Sequence, residues 1–574
     1  MYRVADQVIE FVEKTCSKNI FVLTGNGAMY LNDAIELSEK LNYICVRNEA
    51  AAPVAASSSA EVTGLTGVVC VTAGPGSTNA LAGLAEIWVD SGNVLVISGQ
   101  VPTSELGIGG SAPFNTRTFG IAGIPIIDYV KNLTKFATSI MSSSEVKPAL
   151  KEIYRALNIG RKGPVWLDIP LDIQSMPAIA FSMDEFIQEL KNESQRVDRI
   201  TLSEIQELKV LLQQSSRPLF ILGRGAGEIK NLDRFINWLE KSHLPFALTR
   251  VMAHEVPIGV PNNMGVLGVR GRPWSKEVLE KADLIVSLGC RLPTSIVGEN
   301  FSYLSKDVRI AMIDIDNSEI QRHGAKVNLG INKSLSDFDQ ICSSLDAALN
   351  TASINSWFEL CLSYKSLPND DLFEQEENGP LNIYWFVKHL EDYIKDERVI
   401  LTSDAGSNYY ACGQAIDFNK FSKEVTSGTF AAMGISLPLA IGAAAELVGT
   451  DGLVFCVTGD GSIELNIQEL LTLSTYKLPV KIFVINNGGY ASMRTWQDNF
   501  FDGRYIGSTD GTGAKPLNFE RVAYAFGIDY VKIENPKDYL SKMPKIIETR
   551  IPQLIEVMCR SDQQLHLPME IDKV

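Results

Sequence analysis

Short apolar runs alternate with longer helical patterns along most of the chain. In residues 1–178 the runs are NIFVLTG, TGVVCVTAG, NVLVISGQ and GPVWLDIP, and each leads into a Gly, Ser or Pro turn. Continuous apolar runs separated by helical segments are typical of parallel sheets that are covered by helices on both faces. The pattern predicts an α/β domain over residues 1–178.

The same alternation recurs in two further blocks. Residues 195–349 contain RPLFILGRG, ADLIVSLG and VRIAMIDID, and residues 375–565 contain GLVFCVTGD and VKIFVINN. The polar segment KNESQRVDR and the acidic connector LPNDDLFEQEENGP separate the blocks, as boundary segments do. A chain of 574 residues also exceeds one ordinary core. We expect three consecutive doubly wound parallel-sheet domains.

The composition excludes several classes of partner. A net charge of -16 and a pI near 5.0 repel phosphate backbones, and no basic run interleaved with aromatics offsets that repulsion. The uncharged stretch 425–445 is long enough to cross a bilayer, but Gly428, Gly434, Pro438 and Gly442 interrupt it. We expect no nucleic acid and no membrane among the partners.

The cysteines and the amino terminus indicate the compartment. The nine cysteines are odd in number, scattered and never spaced as CxxC, which is typical of reduced structural thiols. The first residues, MYRVADQVIEFVEKT, carry acids where a signal peptide needs an apolar core. We therefore expect a cytoplasmic protein.

Two neighbouring strand ends of the third block carry oxygen ligands. GLVFCVTGDGSIELNIQELLTL predicts a strand, a glycine turn at Asp460 and Gly461, and a helix with apolar positions at 463, 467, 470 and 471. The next predicted strand ends at Asn487. Strand ends of parallel sheets bind ligands, and Mg²⁺ prefers oxygen, which Asp460, the Asn487 amide and the Gly489 carbonyl can supply. The predicted helix start could donate N–H groups to a diphosphate.

A lone GDG is a common turn, but GDG, a helix, a second strand and NN together resemble the diphosphate and Mg²⁺ motif of thiamine-diphosphate enzymes. The resemblance extends over nearly the whole chain and is strongest to the acetolactate synthase (acetohydroxyacid synthase) branch. It implies thiamine diphosphate and Mg²⁺ as cofactors. It also implies diphosphate-side contacts at Gly406, Ser407, Asn408, Gly459, Gly461, Ser462 and Tyr490.

The resemblance also implies the pyrimidine side of the site. Glu49 in CVRNEAAAP matches the glutamate that activates the cofactor through its aminopyrimidine, and a carboxylate in an apolar pocket can share a proton with that ring. Gly76 and Asn79 in TAGPGSTN match the loop at the pyrimidine end, and Met433 matches the side chain beneath the bent cofactor. The alternatives are a surface glutamate that opens a helix and an ordinary core methionine.

Pyrimidine-side residues lie in the first block and diphosphate-side residues in the third. Family members assemble such a site between two chains. The resemblance therefore implies a homodimer, with a dimer of dimers, a tetramer, common in the branch.

The middle block resembles the domain that holds FAD in acetolactate synthases and pyruvate oxidases. GRGAG could approach a pyrophosphate, although it is not the full GxGxxG fingerprint, and TRVM, GVRG, GCRL and IDID match flavin-binding stretches. The flavin would be structural in a synthase and an electron acceptor in an oxidase. The alternative is a purely structural Rossmann-like layer. The implied FAD contacts are Gly223, Gly225, Thr249, Met252, Gly268, Arg270, Gly289, Arg291, Asp314 and Asp316.

The histidines favour one reaction class. All five lie after residue 240, so the first block lacks the histidines with which simple 2-oxo acid decarboxylases protonate the carbanion and release aldehyde. Their absence favours attack on a second carbonyl. Trp496 in MRTWQDNFFDGRY and Gln100 in ISGQVP match the substrate pocket of the synthases, although Trp496 could equally be core.

Two departures from the synthases affect the acceptor. Ala122 and Gly123 stand where the synthases carry glutamine and glutamate, and Asn48 replaces the histidine that commonly precedes the catalytic glutamate. TGNGAMYLND places Asn26 and Tyr30 at a differently shaped entrance. A bulkier acceptor such as a nucleotide-linked keto-sugar becomes plausible.

The leading hypothesis is a carboligase that decarboxylates a 2-oxo acid such as pyruvate and joins the acyl carbanion to a carbonyl acceptor. One alternative is a pyruvate oxidase-like or decarboxylating flavoenzyme. Another is a catalytically silent regulatory relative, although such a protein has no physical need to keep Glu49, Asp460 and Asn487 together.

Overall fold

A computed structural model describes residues 1–106, 117–118, 120–194, 198–366, 370–395 and 398–569. Its named strands form three six-stranded sheets, and neighbouring strands within each sheet pair in parallel. Helices flank the sheets. The prediction of three consecutive α/β domains is confirmed.

The first sheet has the strand order β2-β1-β3-β4-β6-β5. Strands β3, β4 and β6 are buried along their whole length, which explains their uninterrupted apolar sequences. The strands are β1 (Cys16–Val22), β2 (Asn42–Cys45), β3 (Thr66–Val71), β4 (Val94–Gln100), β5 (Phe136–Ser139) and β6 (Val165–Pro170). The helices are α1 (Val4–Thr15), α2 (Met29–Glu36), α3 (Ala51–Thr63), α4 (Pro75–Val89), α5 (Ile126–Val130), α6 (Val146–Asn158), α7 (Leu171–Ser175) and α8 (Met183–Ser194).

The middle sheet has the order β12-β11-β10-β7-β8-β9. The strands are β7 (Pro218–Leu222), β8 (Phe246–Leu248), β9 (Asn263–Val266), β10 (Leu284–Leu288), β11 (Arg309–Ile313) and β12 (Leu329–Ile331). The helices are α9 (Leu202–Gln213), α10 (Leu232–Lys241), α11 (Ser275–Lys281), α12 (Thr294–Val297), α13 (Asn317–Gln321), α14 (Phe338–Ile341) and α15 (Thr351–Lys365).

The third sheet, β14-β13-β15-β16-β18-β17, repeats the topology of the first. The strands are β13 (Val399–Ser403), β14 (Lys423–Thr426), β15 (Leu453–Gly459), β16 (Val480–Asn486), β17 (Asp529–Ile533) and β18 (Gln553–Met558). The helices are α16 (Ile383–Lys388), α17 (Ser407–Ala415), α18 (Ser436–Ala445), α19 (Leu470–Tyr476), α20 (Ala491–Phe501), α21 (Phe519–Phe526) and α22 (Pro536–Glu548).

The segments between the domains differ in part from the prediction. Helix α8 continues to Ser194, so the first residues of KNESQRVDR are helical and not a linker. Residues 195–197, where the second domain was predicted to begin, and residues 367–369 of the acidic connector lie outside the described residues. The three domain limits stay predictions.

Two expectations from composition can be compared with the structure. All nine cysteines are free, and all except the half-buried Cys45 are buried. The uncharged stretch 425–445 forms the end of β14, a loop and α18. Among the described residues no helix is long and apolar enough to span a membrane.

The first and third domains share a hydrophobic core through α3 and α18. Buried alanines of α3, among them Ala52 and Ala55, lie in one cluster with Leu437 and Ala440 of α18. The helices approach so closely that a Cβ added at Gly442 would lie 2.0 Å from the Ala55 carbonyl oxygen. Small residues permit this approach, and the contact fixes one domain against the other.

We predict that Gly442→Val destabilises the protein. The added side chain cannot fit between α18 and the backbone of α3, and overpacking of this kind costs about 1–3 kcal/mol. A lower midpoint of thermal unfolding is expected. Gly511→Ala is the control, because an added Cβ there meets nothing within 4 Å. Equal midpoints for both variants would contradict the account.

Candidate active site

Asp460 lies where β15 ends and is nearly fully buried. One carboxylate oxygen accepts the N–H groups of Gly488 and Gly489, each at 2.9 Å, and the other accepts the N–H of Gly461 at 2.8 Å. Burial raises the pKa of Asp460 to about 6, against the lowering effect of these donors. The carboxylate therefore holds the loop after β16 beside the loop after β15, as the sequence predicted for two strand ends.

The loop after β16 carries the other predicted metal ligands. The side-chain oxygen of Asn487 is buried and has no hydrogen-bond partner. The Gly489 carbonyl accepts the N–H of Ala491 at 3.1 Å. Gly489 has a φ of +112°, and a Cβ there would lie 2.7 Å from the Ser508 carbonyl, so glycine is required.

These residues fit Mg²⁺. An unpaired buried amide oxygen beside a buried carboxylate is an arrangement that a hard cation stabilises, because each oxygen gains a partner. No group of three or more His, Cys, Asp or Glu that could hold a metal occurs within the described ranges. A metal here would depend on neutral oxygens and on oxygens of a bound ligand.

Asp404 organises the same edge of the sheet, and the sequence analysis missed it. Its fully buried carboxylate accepts five hydrogen bonds. The hydroxyl donors are Ser436 at 2.6 Å, Thr458 at 2.9 Å and Ser462 at 3.1 Å. The backbone donors are Ala405 at 2.8 Å and Gly434 at 2.9 Å.

Burial raises the pKa of Asp404, and the five donors act in the opposite direction. One carboxylate thus ties the loops after β13 and β15 to the start of α18. The sequence feature that indicates Asp404 is SDAG directly after a predicted strand, which is the same arrangement as GDG after β15.

The predicted diphosphate-side residues lie on these loops. Gly406, with a φ of +76°, precedes α17, which begins at Ser407, and the buried side-chain oxygen of Asn408 has no partner. At the end of β15, a Cβ on Gly459 would lie 3.3 Å from the Asn408 amide nitrogen. A Cβ on Gly461 would lie 2.3 Å from the Tyr490 ring, so these two residues are in close contact.

The helix predicted after Gly461 is wrong in its first turns. A 3₁₀ segment spans Ile463–Glu469, with non-helical backbone at Asn466, and the α-helix begins only at Leu470. The Asn466 side chain donates to the Gly434 carbonyl at 3.0 Å, which draws this segment toward the loop before α18. Leu471, predicted as an apolar position of this helix, is 40% exposed.

Glu49 lies between β2 and α3 and is buried, so it is not a surface glutamate. The Asn79 amide donates to its carboxylate at 3.1 Å. A Cβ on Gly76 would approach the other carboxylate oxygen to 3.4 Å, so Gly76 leaves room beside the carboxylate. The predicted pyrimidine-side residues are therefore neighbours.

Glu469 of the third domain holds the backbone that leads to Glu49. One oxygen of its buried carboxylate accepts the N–H of Arg47 at 2.9 Å and that of Asn48 at 3.0 Å. Tyr476 accepts the N–H of Cys45 at 2.8 Å. No motif signals this brace, because it joins residues more than 400 positions apart.

Apolar side chains around the third-domain site are exposed in the single chain. Phe430 is 52% exposed, Met433 41% and Leu465 48%. Met433 is therefore not an ordinary core methionine. The surface beside the Asp404 network presents apolar groups outward.

Contacts within the described residues do not bring the predicted substrate-pocket residues together. Asn26 is exposed, while Tyr30 is half-buried with the Arg3 guanidinium over its ring. Gln100 is buried, and its amide donates to Asp168 and to the Ile124 carbonyl. Since the Gln100 amide is already bonded within the chain, it supports neighbouring residues and has no free donor for a substrate.

Of the remaining predicted pocket residues, Ala122 lies beside the loop before α4 and Trp496 lies on α20. Ala122 has a φ of +68° and touches Gly74, which precedes α4 and the Gly76 turn. Trp496 is half-buried on α20 and stacks on Phe500 at 5.7 Å, so it is not a fully buried core tryptophan. Their pocket roles stay predictions.

The middle domain has its two glycine loops in contact where the strand order reverses, between β7 and β10. Gly225 donates to the Gly289 carbonyl at 3.1 Å, and Cβ atoms on Gly223 or Gly225 would clash with the 289–290 backbone. These glycines are thus required for packing between the loops. Gly268 is likewise packed against Ser295.

Some of the predicted FAD contacts have polar atoms without hydrogen-bond partners, and others already interact with neighbouring residues. The Thr249 hydroxyl and the Arg270 Nε are buried without hydrogen-bond partners, and Arg270 stacks over Tyr409. Such orphaned donors fit a bound polar group at this crevice. Met252, by contrast, is part of the hydrophobic core.

The remaining flavin candidates make contacts across domains or within their own loop. Arg291 hydrogen-bonds the Thr429 hydroxyl. Asp316 pairs with Arg161 at 3.1 Å. Asp314 is buried, which raises its pKa, and accepts the Asp316 N–H. The flavin assignments stay predictions.

Comparisons with known proteins match all three domains. Three family models described as thiamine pyrophosphate enzyme match: the N-terminal TPP binding domain at residues 2–141, the central domain at 205–338 and the C-terminal TPP binding domain at 404–557. The chain is 30% identical to an acetolactate synthase large subunit of Lactococcus lactis subsp. lactis (strain IL1403), over 98% of this chain and 93% of that protein.

Two further relatives match over a similar share of this chain. Acetolactate synthase isozyme 1 large subunit of Escherichia coli (strain K12) is 28% identical over 98% of this chain and 95% of its own. Acetolactate synthase 1, chloroplastic, of Nicotiana tabacum is 28% identical over 98% of this chain and 83% of its own.

We predict that Asp404→Ala unfolds at a lower temperature and loses thiamine diphosphate binding. The five donors are left unpaired in a buried site, at a cost of roughly 3 kcal/mol or more. Asp404→Asn should be milder, because the Ser436 and Thr458 hydroxyls can rotate to accept from the amide. Thermal unfolding and calorimetric titration measure both effects. The exposed Asp451→Ala is the control, and an Ala variant that behaves like it would refute the role of Asp404.

Proposed function

The chain belongs to the thiamine pyrophosphate enzyme family and is acetolactate synthase-like, and from this premise we propose that it decarboxylates pyruvate and ligates the acyl unit to a carbonyl acceptor. The observation that carries the proposal is the buried set of Asp460, Asn487 and Asp404 at the carboxyl edge of the third sheet. It is supported by a buried Glu49 that an amide holds in place.

When bound, thiamine diphosphate supplies a nucleophilic carbon and an electron sink for loss of CO₂. Asp460, the Asn487 side chain and the Gly489 carbonyl would hold Mg²⁺. The backbone at Gly406, which precedes α17, would face the diphosphate, since the first N–H groups of α17 have no intrahelical partners. Gly461 would lie beside the diphosphate with its N–H bonded to Asp460. These residues bind and orient the cofactor.

Glu49 would hold a proton at its carboxylate beside the pyrimidine end of the cofactor. The Asn79 amide orients the carboxylate, and Glu469 fixes the backbone before it. Met433 would support the bent cofactor from the exposed loop before α18.

The choice of carboligation follows from which groups can move a proton. None of the five histidines lies in the first domain. His566, in the C-terminal segment, has a pKa lowered by burial. A site with few proton donors favours transfer of the acyl unit to a second carbonyl over release as aldehyde.

The acceptor would be a ketone larger than pyruvate, such as a nucleotide-linked keto-sugar. Ala122 and Gly123 carry almost no side chain where the synthases carry glutamine and glutamate, so no large polar side chain from these two positions would contact the acceptor. FAD would bind at the crevice of the middle domain, where Thr249 and Arg270 have unpaired donors. Its role would be structural.

Two copies of the chain would complete each site. The exposed apolar side chains of Phe430, Met433 and Leu465 lie beside the cofactor loops, and a second chain would cover them. A homodimer is the smallest assembly that supplies this cover, and a tetramer would contain two such pairs.

Proton NMR of the protein with pyruvate, thiamine diphosphate, Mg²⁺ and FAD tests the function. Acetolactate or acetoin is expected, because pyruvate can also serve as acceptor, and added ketones should divert the product. Acetaldehyde or acetate as the only product would replace carboligation with a decarboxylase or an oxidase. Unchanged pyruvate, with or without added ketones, would contradict the proposed donor.

Glu49→Gln should lower turnover by on the order of 10²-fold to 10⁴-fold, since the amide cannot hold the proton. Thiamine diphosphate affinity and the unfolding midpoint should change little, because the neighbouring Asn79 can still hydrogen-bond the new side chain. The matched control is the exposed Glu39→Gln. Full activity in Glu49→Gln would remove Glu49 from the mechanism.

A further inference from the structure

Arg494 on α20 is a buried cation that donates hydrogen bonds to four backbone carbonyls. One terminal nitrogen donates to the carbonyls of Gly488 and Ser508, both at 3.1 Å. The other donates to the carbonyls of Asn487 at 2.9 Å and Ser561 at 3.1 Å. The side chain is 8% exposed, and burial lowers its pKa from the usual arginine value.

The four carbonyls belong to three separate segments. Asn487 and Gly488 are in the predicted metal loop after β16. Ser508 is in the loop after α20, and its carbonyl also accepts the Tyr490 N–H at 3.1 Å. Ser561 begins the C-terminal segment after β18. A planar guanidinium can hold all of these at once, whereas an ammonium presents its donors from a single point.

The C-terminal segment has further contacts beside the same helix. The Gln564 amide donates to Asp498 at 2.9 Å, and the Leu565 N–H approaches the Thr495 hydroxyl at 3.5 Å. The Gln414 amide of α17 donates to the His566 carbonyl at 3.0 Å. Residues 561–566 therefore lie against α20 and α17, with Arg494 at the point where they meet the metal loop.

We propose that Arg494 is a positioning residue that sets the loop carrying Asn487 and Gly489 for Mg²⁺ and couples metal binding to the order of residues 561–566. It holds the Asn487 and Gly488 carbonyls, while the Asn487 side-chain oxygen has no hydrogen-bond partner within the chain and would be available to the metal. The inference rests on the proposed function, because it concerns the same Mg²⁺ and diphosphate site.

Electrostatics alone gives the opposite expectation. A guanidinium close to a dication repels it, so removal of the charge would tighten Mg²⁺ binding if repulsion outweighed positioning. Loss of an outer partner that orients a ligand usually weakens metal affinity 10-fold to 100-fold. The sign of the change therefore distinguishes the two effects.

The test is a calorimetric titration of Mg²⁺ into the protein in the presence of excess thiamine diphosphate. Arg494→Met removes charge and hydrogen bonds, and Arg494→Lys keeps only the charge. We expect both to weaken Mg²⁺ binding by on the order of 10-fold to 100-fold. The control Arg504→Met removes the same charge from an exposed position, where Arg504 pairs with Asp502. Unchanged or tighter Mg²⁺ binding in both Arg494 variants would overturn the proposal.

Hydrogen exchange of the unmodified protein tests the coupling without any variant. Addition of Mg²⁺ and thiamine diphosphate should slow exchange at Gly488 and Gly489 and also within 561–566. Slowing confined to the metal loop would overturn the coupling. If the unmodified protein binds no thiamine diphosphate, the proposed function itself fails; if it binds and the variants bind equally well, only the role of Arg494 fails.

Discussion

The site depends on one buried carboxylate. Asp404 is fully buried and accepts five hydrogen bonds, from Ala405 after β13, Thr458 in β15, Ser462 after β15, and Gly434 and Ser436 at the start of α18. A buried charge is tolerated only if its acceptor positions are filled, so these segments converge on it. Asp460, at the end of β15, then binds the backbone of Gly488 and Gly489 in the loop after β16.

A second constraint is the contact between the first and third domains. The two domains have the same strand order, and α3 and α18 pack through small side chains at their interface. Glu469 fixes the backbone of Arg47 and Asn48, so the segment that carries Glu49 is set by the domain that carries the metal loop. The position of Glu49 is thereby linked to that of the third-domain loops within one chain, and the apolar side chains of Phe430, Met433 and Leu465 beside those loops are exposed.

The sequence predicted the parts of the fold that depend on local pattern. Apolar runs such as LVFCV and VKIFVI give buried parallel strands, and Asp460 and Asn487 follow these strands directly. The sequence could not predict contacts between distant residues. Asn466 bonds to Gly434 and so interrupts a helix that periodicity alone predicts, and the Gln100 amide is bonded to Asp168 and Ile124 instead of standing free. Glu469 acts through backbone groups more than 400 positions away, and Arg494 joins nearby carbonyls to that of Ser561, 67 positions along the chain, which no motif records.

The carboxyl edge of the third sheet is proposed as a diphosphate site that needs a metal. Calorimetric titration of thiamine diphosphate into the protein, first with Mg²⁺ and then with the metal removed by EDTA, measures this requirement. One bound cofactor per chain is expected with Mg²⁺ and little binding without it, because Asp460 and Asn487 would reach the diphosphate through the metal. Absence of binding with Mg²⁺, or equal affinity in both conditions, would show that this edge is not such a site.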